Sequence, residues 1–172
     1  MTTKRNENLN YRIAPLDCCT SAAETYSSWI QEAWVREPIC DWLESGSPLG
    51  ILGDVTMPIV YAAVGRGDRI LGAAAVVLDE MLDRPHWNPW LGLVYVDPTY
   101  RGAGIAIALV NSLIQASERA GINELYLFCP PRLEHLYRRF NFTPIETREY
   151  DGVYAVTMAR RTETSNSDRG SG

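Results

Sequence analysis

The chain has 172 residues, 46% hydrophobic and 22% charged, which is enough to bury a full core as one soluble domain without requiring a second. A net charge of -5, with Lys4 the one lysine beside 15 arginines, does not suggest a general nucleic-acid surface. The cysteines at 18, 19, 40 and 129 form no Cys-x-x-Cys pair and only His86 and His135 accompany them, so no metal site is expected.

Met1 to Asn10 is polar and lacks the apolar stretch of a secretory signal. The longest apolar runs, such as Ile70 to Leu78, are too short to span a bilayer. A reducing cytoplasm is the expected setting, with no membrane partner and no nucleic acid. Residues 1–9 and 161–172 are too polar to pack and are expected to be disordered, leaving residues 10–160 as the folded domain.

In chain order, Tyr11 to Leu16 reads as a first strand, and Ser21 to about Glu44 as a mostly helical region interrupted at Pro38. Trp34 is expected in the core, with Trp29 and Trp42 left between core and pocket. Ile59 to Val64 and Ile70 to Leu78 form a hairpin about a polar Gly65 to Arg69 turn, whose Arg66-Gly67-Asp68 needs no adhesive role. Met81 to Pro89 is a loop shaped by two prolines, and Trp90 to Val96 is a strand.

A helix follows from Ile105 to about Ala120, with Ile105, Ala108, Leu109, Ser112, Leu113 and Ala116 on its packing face and Gly121 as its left-handed cap. Glu124 to Cys129 is a strand stopped by Pro130 and Pro131. A short helix then groups Leu133, Leu136, Tyr137 and Phe140, and Glu149 to Met158 makes a final hairpin about Asp151-Gly152. This order implies an α/β domain with a mixed sheet, and a ligand beyond the carboxyl ends of its parallel strands.

The segment Val94-Tyr-Val-Asp-Pro-Thr-Tyr-Arg-Gly-Ala-Gly-Ile-Ala106 joins strand to helix through two glycines and an arginine. Helix-start amides lack intrahelical acceptors and converge on anions, Gly102 and Gly104 allow close approach, and Arg101 adds a cation. A nucleoside triphosphatase loop needs a lysine after its second glycine, and none follows Lys4. A dinucleotide loop needs a third glycine where Ile107 stands.

Asp97-Pro98-x-Tyr100-Arg101-Gly102-x-Gly104-Ile105-Ala106 resembles the acyl-coenzyme A signature of the GCN5-related N-acetyltransferases, Arg/Gln-x-x-Gly-x-Gly/Ala. The element order from Tyr11 to Met158 resembles that fold too. The resemblance implies a single α+β-like domain with a mixed, mostly antiparallel sheet of about six or seven strands flanked by helices. It also implies acetyl-coenzyme A as co-substrate, without metal. The backbone of Gly102, Ala103, Gly104, Ile105 and Ala106, with Arg101, would hold the pyrophosphate. The edge at Val94, Tyr95 and Val96 would take the pantetheine arm, with the amide of Val94 or Tyr95 polarising the thioester carbonyl. Two strands, near Val94 and Leu127, would splay to admit that arm.

On periodicity alone Tyr137 stands equally as a ring packed between helix and sheet and as a catalytic group. The resemblance of Tyr137-Arg-Arg-Phe-Asn-Phe142 to the family's Tyr-x-x-x-Gly-Phe pattern implies an acid for the departing thiolate, with Asn141 replacing glycine and tolerating a left-handed backbone. The strand Trp90 to Val96 lacks the glutamate that many members use as base. Asp79, Glu80, Asp83 and His86 are the nearby candidates, with a carboxylate such as Glu80 or Asp83 expected to bind a cationic amine and relay its proton through water. Cys129 could carry a covalent acyl group, although direct attack is preferred for want of an activating histidine. The expected activity is N-acetyl transfer to a primary amine on a small molecule, by a monomer or homodimer. The alternatives are an acyl-coenzyme A sensor or a protein N-acetyltransferase on the same fold.

Overall fold

A computed structural model describes residues 9–16, 20–34, 51–81, 83–150 and 152–162. Most of the expected tails lie outside this set, as do Asp151, Trp42, the side chain of Trp34 and the helical continuation to Glu44. Leu9 packs against the core, and Arg161, read as tail, closes the last strand opposite Glu124.

The elements are β1 (Arg12–Pro15), α1 (Ser21–Trp34), β2 (Ile51–Leu52), β3 (Val55–Thr56), β4 (Ile59–Val64), β5 (Ile70–Val77), β6 (Trp90–Val96), α2 (Ile105–Arg119), β7 (Glu124–Cys129), α3 (Glu134–Arg138), β8 (Thr143–Tyr150) and β9 (Val153–Arg161). The β2 and β3 pair is a separate small hairpin that the sequence reading missed, because two-residue strands show no periodicity. The other seven strands form one sheet in the order β1, β4, β5, β6, β7, β9, β8. Every neighbouring pair is antiparallel except β6 and β7. The mixed, mostly antiparallel sheet is therefore the one expected.

Both faces of the sheet are covered. On one face α2 buries Leu109 and Leu113 against Leu71, Val76, Leu91 and Leu127. On the other, Tyr26 and Ile30 of α1 pack with Ala73, Ala75, Trp90 and Leu93. A fully buried aliphatic such as Ile30 contributes about 1.5–3 kcal/mol, so a few anchors suffice to dock α1.

The face of α2 is rotated from the expected one. Ile105, Leu109 and Leu113 are buried as anticipated, joined by Val110, Ile114 and Ser117, while Ala108, Ser112 and Ala116 are half-buried. Branched aliphatics remove more apolar area from water than alanines do, so the helix rolls toward Val110 and Ile114. Its end is as expected, with Gly121 at φ 78.

Candidate active site

The central strand β6 departs from simple alternation. Leu91, Val94 and Val96 face the α2 side, whereas Trp90, Leu93 and Tyr95 face the α1 side. One extra residue is accommodated where Gly92 pairs with Ala75 and Tyr95 with Ala73, so that Leu93 and Val94 together oppose Ala74. Leu93 takes φ 53, a left-handed value that a branched side chain rarely adopts. The fully buried Tyr26 of α1 donates its hydroxyl to the Leu93 carbonyl at 2.8 Å.

Beyond this bulge the sheet opens. β6 and β7 pair in parallel only at Trp90 and Tyr126, so their carboxyl-terminal halves have no shared ladder. The splay expected near Val94 and Leu127 falls in that unpaired stretch. The turn expected to hold phosphate follows the end of β6. Asp97 caps it by accepting from the Thr99 amide at 2.8 Å, with Arg69 paired to the same carboxylate at 3.5 Å.

Gly102 and Gly104 have φ 79 and 80, and a Cβ on either would meet nothing within 4 Å. The left-handed turn thus leaves open space over the start of α2, where the first internal amide bond runs from Ala108 to Gly104. The amides of Ile105 and Ala106 precede that bond and lie in the first turn, where donors lack helical acceptors. These residues fit a pyrophosphate. Arg101 uses its Nε on the Val96 carbonyl at 3.0 Å and lies 5.8 Å from the Tyr95 ring centre, which leaves a phosphate contact to its two Nη groups.

On the α2 side of the opening, Tyr137 sits in α3 with its ring edge-on to Phe142, which is buried as expected. Asn141 takes φ 63, the left-handed conformation anticipated where the family has glycine. Burial, and then the nearby Cys129, push the Tyr137 phenol up to about 12, so it carries its proton throughout the neutral range. Cys129 ends β7 buried; burial and the Glu134 charge push its thiol up to about 11. A thiol so fully protonated is a poor nucleophile, which argues for direct attack.

The four candidate bases occupy different settings. Asp83 is exposed and held by Arg148 at 2.8 Å and Arg84 at 3.2 Å; the hydrogen bond from Arg148, above all, lowers its pKa. Asp79 accepts from the Asn88 amide at 2.9 Å, and His86 is exposed. Glu80 is half-buried, and its charge adds to the burial that raises the Tyr26 hydroxyl well above the usual phenol range. Through Tyr26 it is the candidate tied most closely to the β6 bulge.

Two contributors went unassigned in the sequence. Tyr26 was missed, since one aromatic on an amphipathic helix carries no sign of a partner 67 residues away. Trp29, left open between core and pocket, is half-buried and stacks on Tyr95 with centroids 5.0 Å apart. A cavity of about 920 Å³ lies elsewhere, lined by Trp87, Tyr126, Ile145 and Arg161 among others, and shares no residue with the glycine turn or Tyr137. Chemistry rather than volume therefore locates the site. Among the described residues no group of three or more potential metal ligands occurs, and no helix is long and apolar enough to cross a membrane.

A seven-stranded sheet opened between its parallel strands, with a glycine turn at the start of the helix that follows, defines the acyl-coenzyme A N-acyltransferase fold. The family model described as the acetyltransferase (GNAT) family matches residues 14–142. The chain belongs to that family. Its structure is similar to an acyl-CoA N-acyltransferase from Pseudomonas aeruginosa, with TM-score 0.60 and 22% identity, covering 89% of this chain and 99% of that one. It is similar also to the ribosomal-protein-S18-alanine N-acetyltransferase of Escherichia coli, with TM-score 0.65, 20% identity and coverage of 94% and 99%. A third likeness is to yncA of Salmonella typhimurium, solved with its cofactor acetyl-CoA, with TM-score 0.68, 16% identity and coverage of 90% and 96%.

Proposed function

We propose that this protein transfers an acetyl group from acetyl-coenzyme A to a primary amine on a small molecule, by direct attack. The observation that carries the reading is the opening between β6 and β7, flanked by the glycine turn and by Tyr137. Acetyl-coenzyme A supplies the activated thioester. Arg101 and the amides from Gly102 to Ala106 bind its pyrophosphate, and the Val94 to Val96 edge binds its pantetheine arm.

An amide at the bulge, of Val94 or Tyr95, donates to the thioester oxygen as negative charge grows there, where a hydrogen bond accelerates the reaction most. Tyr137, kept protonated throughout the neutral range by its raised pKa, donates a hydrogen bond that stabilises the departing thiolate. The amine enters from the α1 side past Trp29 and Tyr95. Glu80, rather than the guanidinium-bound Asp83, accepts the amine proton through water.

A thiol-release screen with acetyl-coenzyme A against a broad amine panel tests the reading. Turnover with at least one small amine is expected. Coenzyme binding without release for any amine would replace the enzyme with an acyl-coenzyme A sensor, and release only with peptides would make it a protein N-acetyltransferase. In Tyr137→Phe, turnover should fall by about 100-fold with coenzyme affinity nearly unchanged.

A further inference from the structure

We propose that Tyr26 is a positioning residue that aims and strengthens the Val94 amide, making Val94 the donor to the thioester oxygen; this rests on the acyltransfer reading above. The Leu93 carbonyl and the Val94 amide belong to one peptide unit. Cis peptide bonds occur among the described residues only before Pro58 and Pro89, so the Leu93-Val94 unit is trans. In a planar trans peptide the C=O and N-H point in opposite directions, and fixing one fixes the other. The Tyr26 hydroxyl, 2.8 Å from the Leu93 oxygen, draws that carbonyl toward α1. The Val94 N-H is thereby turned toward the α2 side, where the glycine turn and Tyr137 lie.

The same bond has an electronic consequence. A donor on a peptide oxygen polarises the whole unit and makes its N-H a better donor. Tyr26 is suited to this task because burial, assisted by the charge of Glu80, keeps its hydroxyl protonated. The local backbone also needs holding. Leu93 stands at φ 53 within a strand, a conformation that persists only where its surroundings enforce it. Tyr26 and Ile30 anchor α1 across β6, and Trp29 stacks on Tyr95 immediately after the bulge, so α1 grips both sides of the peptide in question.

The test uses the full chain with acetyl-coenzyme A carrying a 13C-labelled carbonyl, read by difference infrared spectroscopy alongside coenzyme affinity and kinetics. In the wild type the bound carbonyl stretch should move to lower frequency. Tyr26→Phe should lose most of that movement and about tenfold in kcat, with coenzyme affinity and the acceptor KM within about twofold, the loss expected when a hydrogen bond that strengthens in the transition state is weakened. A full wild-type shift and kcat in Tyr26→Phe would overturn the role of Tyr26.

If that variant fails to fold, replacing Val94 by its α-hydroxy acid removes the N-H while keeping the side chain. Loss of the carbonyl shift then supports the assignment, and an undiminished shift refutes it. Failure of the wild type to bind acetyl-coenzyme A would instead strike down the acyltransfer reading itself.

Discussion

Cys129 lies close enough to Tyr137 to raise the phenol's proton affinity, and both groups are held protonated for the same main reason, burial. For a phenol raised from its ordinary value near 10 to about 12, the neutral form persists in the fold after the unfolded chain has begun to ionise. The stability it contributes is whole below about pH 10 and is lost as pH climbs through about 12. The catalytic counterpart is a kcat that shows no alkaline decline from Tyr137 below about pH 11 in a pH-rate profile. A decline near pH 9 that disappeared in Tyr137→Phe would contradict this. Cys129→Ala should retain most of the turnover in steady-state assays, since a thiol near 11 offers almost no thiolate at neutral pH.

At the scale of elements, two strands and a helix start must keep close tolerances for the opening to form. Gly72 of β5 shows how tight they are, because a Cβ there would stand 2.7 Å from the Tyr95 carbonyl oxygen and 3.2 Å from the Val96 Cα. Both neighbours are backbone and cannot swing aside, so Gly72→Ala must push β6 away just before the glycine turn. A loss of about 1–3 kcal/mol in denaturant unfolding and weaker coenzyme binding are expected. Gly104→Ala is a different case. Its Cβ meets no atom, but φ 80 is strained for any L side chain, so relaxation of the turn should cost coenzyme affinity in calorimetry while leaving most of the fold intact.

Across the whole molecule, the loop between β5 and β6 reaches over β7 and β9 to the far edge strand. Trp87 stacks on Tyr126 at 5.8 Å, Arg84 pairs with Glu146 at 2.6 Å, and Asp83 pairs with Arg148 at 2.8 Å. These pairs make Asp83 a fastener rather than a free base. Asp83→Asn should therefore leave the pH-rate profile superimposable on wild type, whereas Glu80→Gln should lower kcat in steady-state assays. The Arg148 bond depresses the Asp83 pKa, so its contribution is present above the unfolded carboxylate range near 4 and is lost as pH falls through the lower folded value. High salt should weaken the same exposed attachment, which limited proteolysis of the loop can follow.

Residue type and spacing along the chain suffice to place the periodic elements and the glycine turn. β4, β6 and β7 have the limits read from their apolar runs, and Gly102, Gly104 and Asn141 adopt the left-handed backbone that their residue types favour. Such features depend on neighbours along the chain. Tertiary structure alone decided the roll of α2, the bulge that sends Leu93 and Tyr95 to the α1 face, the pairing of Asp83 with Arg148, and the reach of Tyr26 to the Leu93 carbonyl. The alternation of Trp90 to Val96 gives no sign of an inserted residue, and none of Asp79, Glu80 and Asp83 announces its partner. Those outcomes depend on which surfaces compete for burial and which charges meet once distant segments pack, and no local pattern encodes that competition.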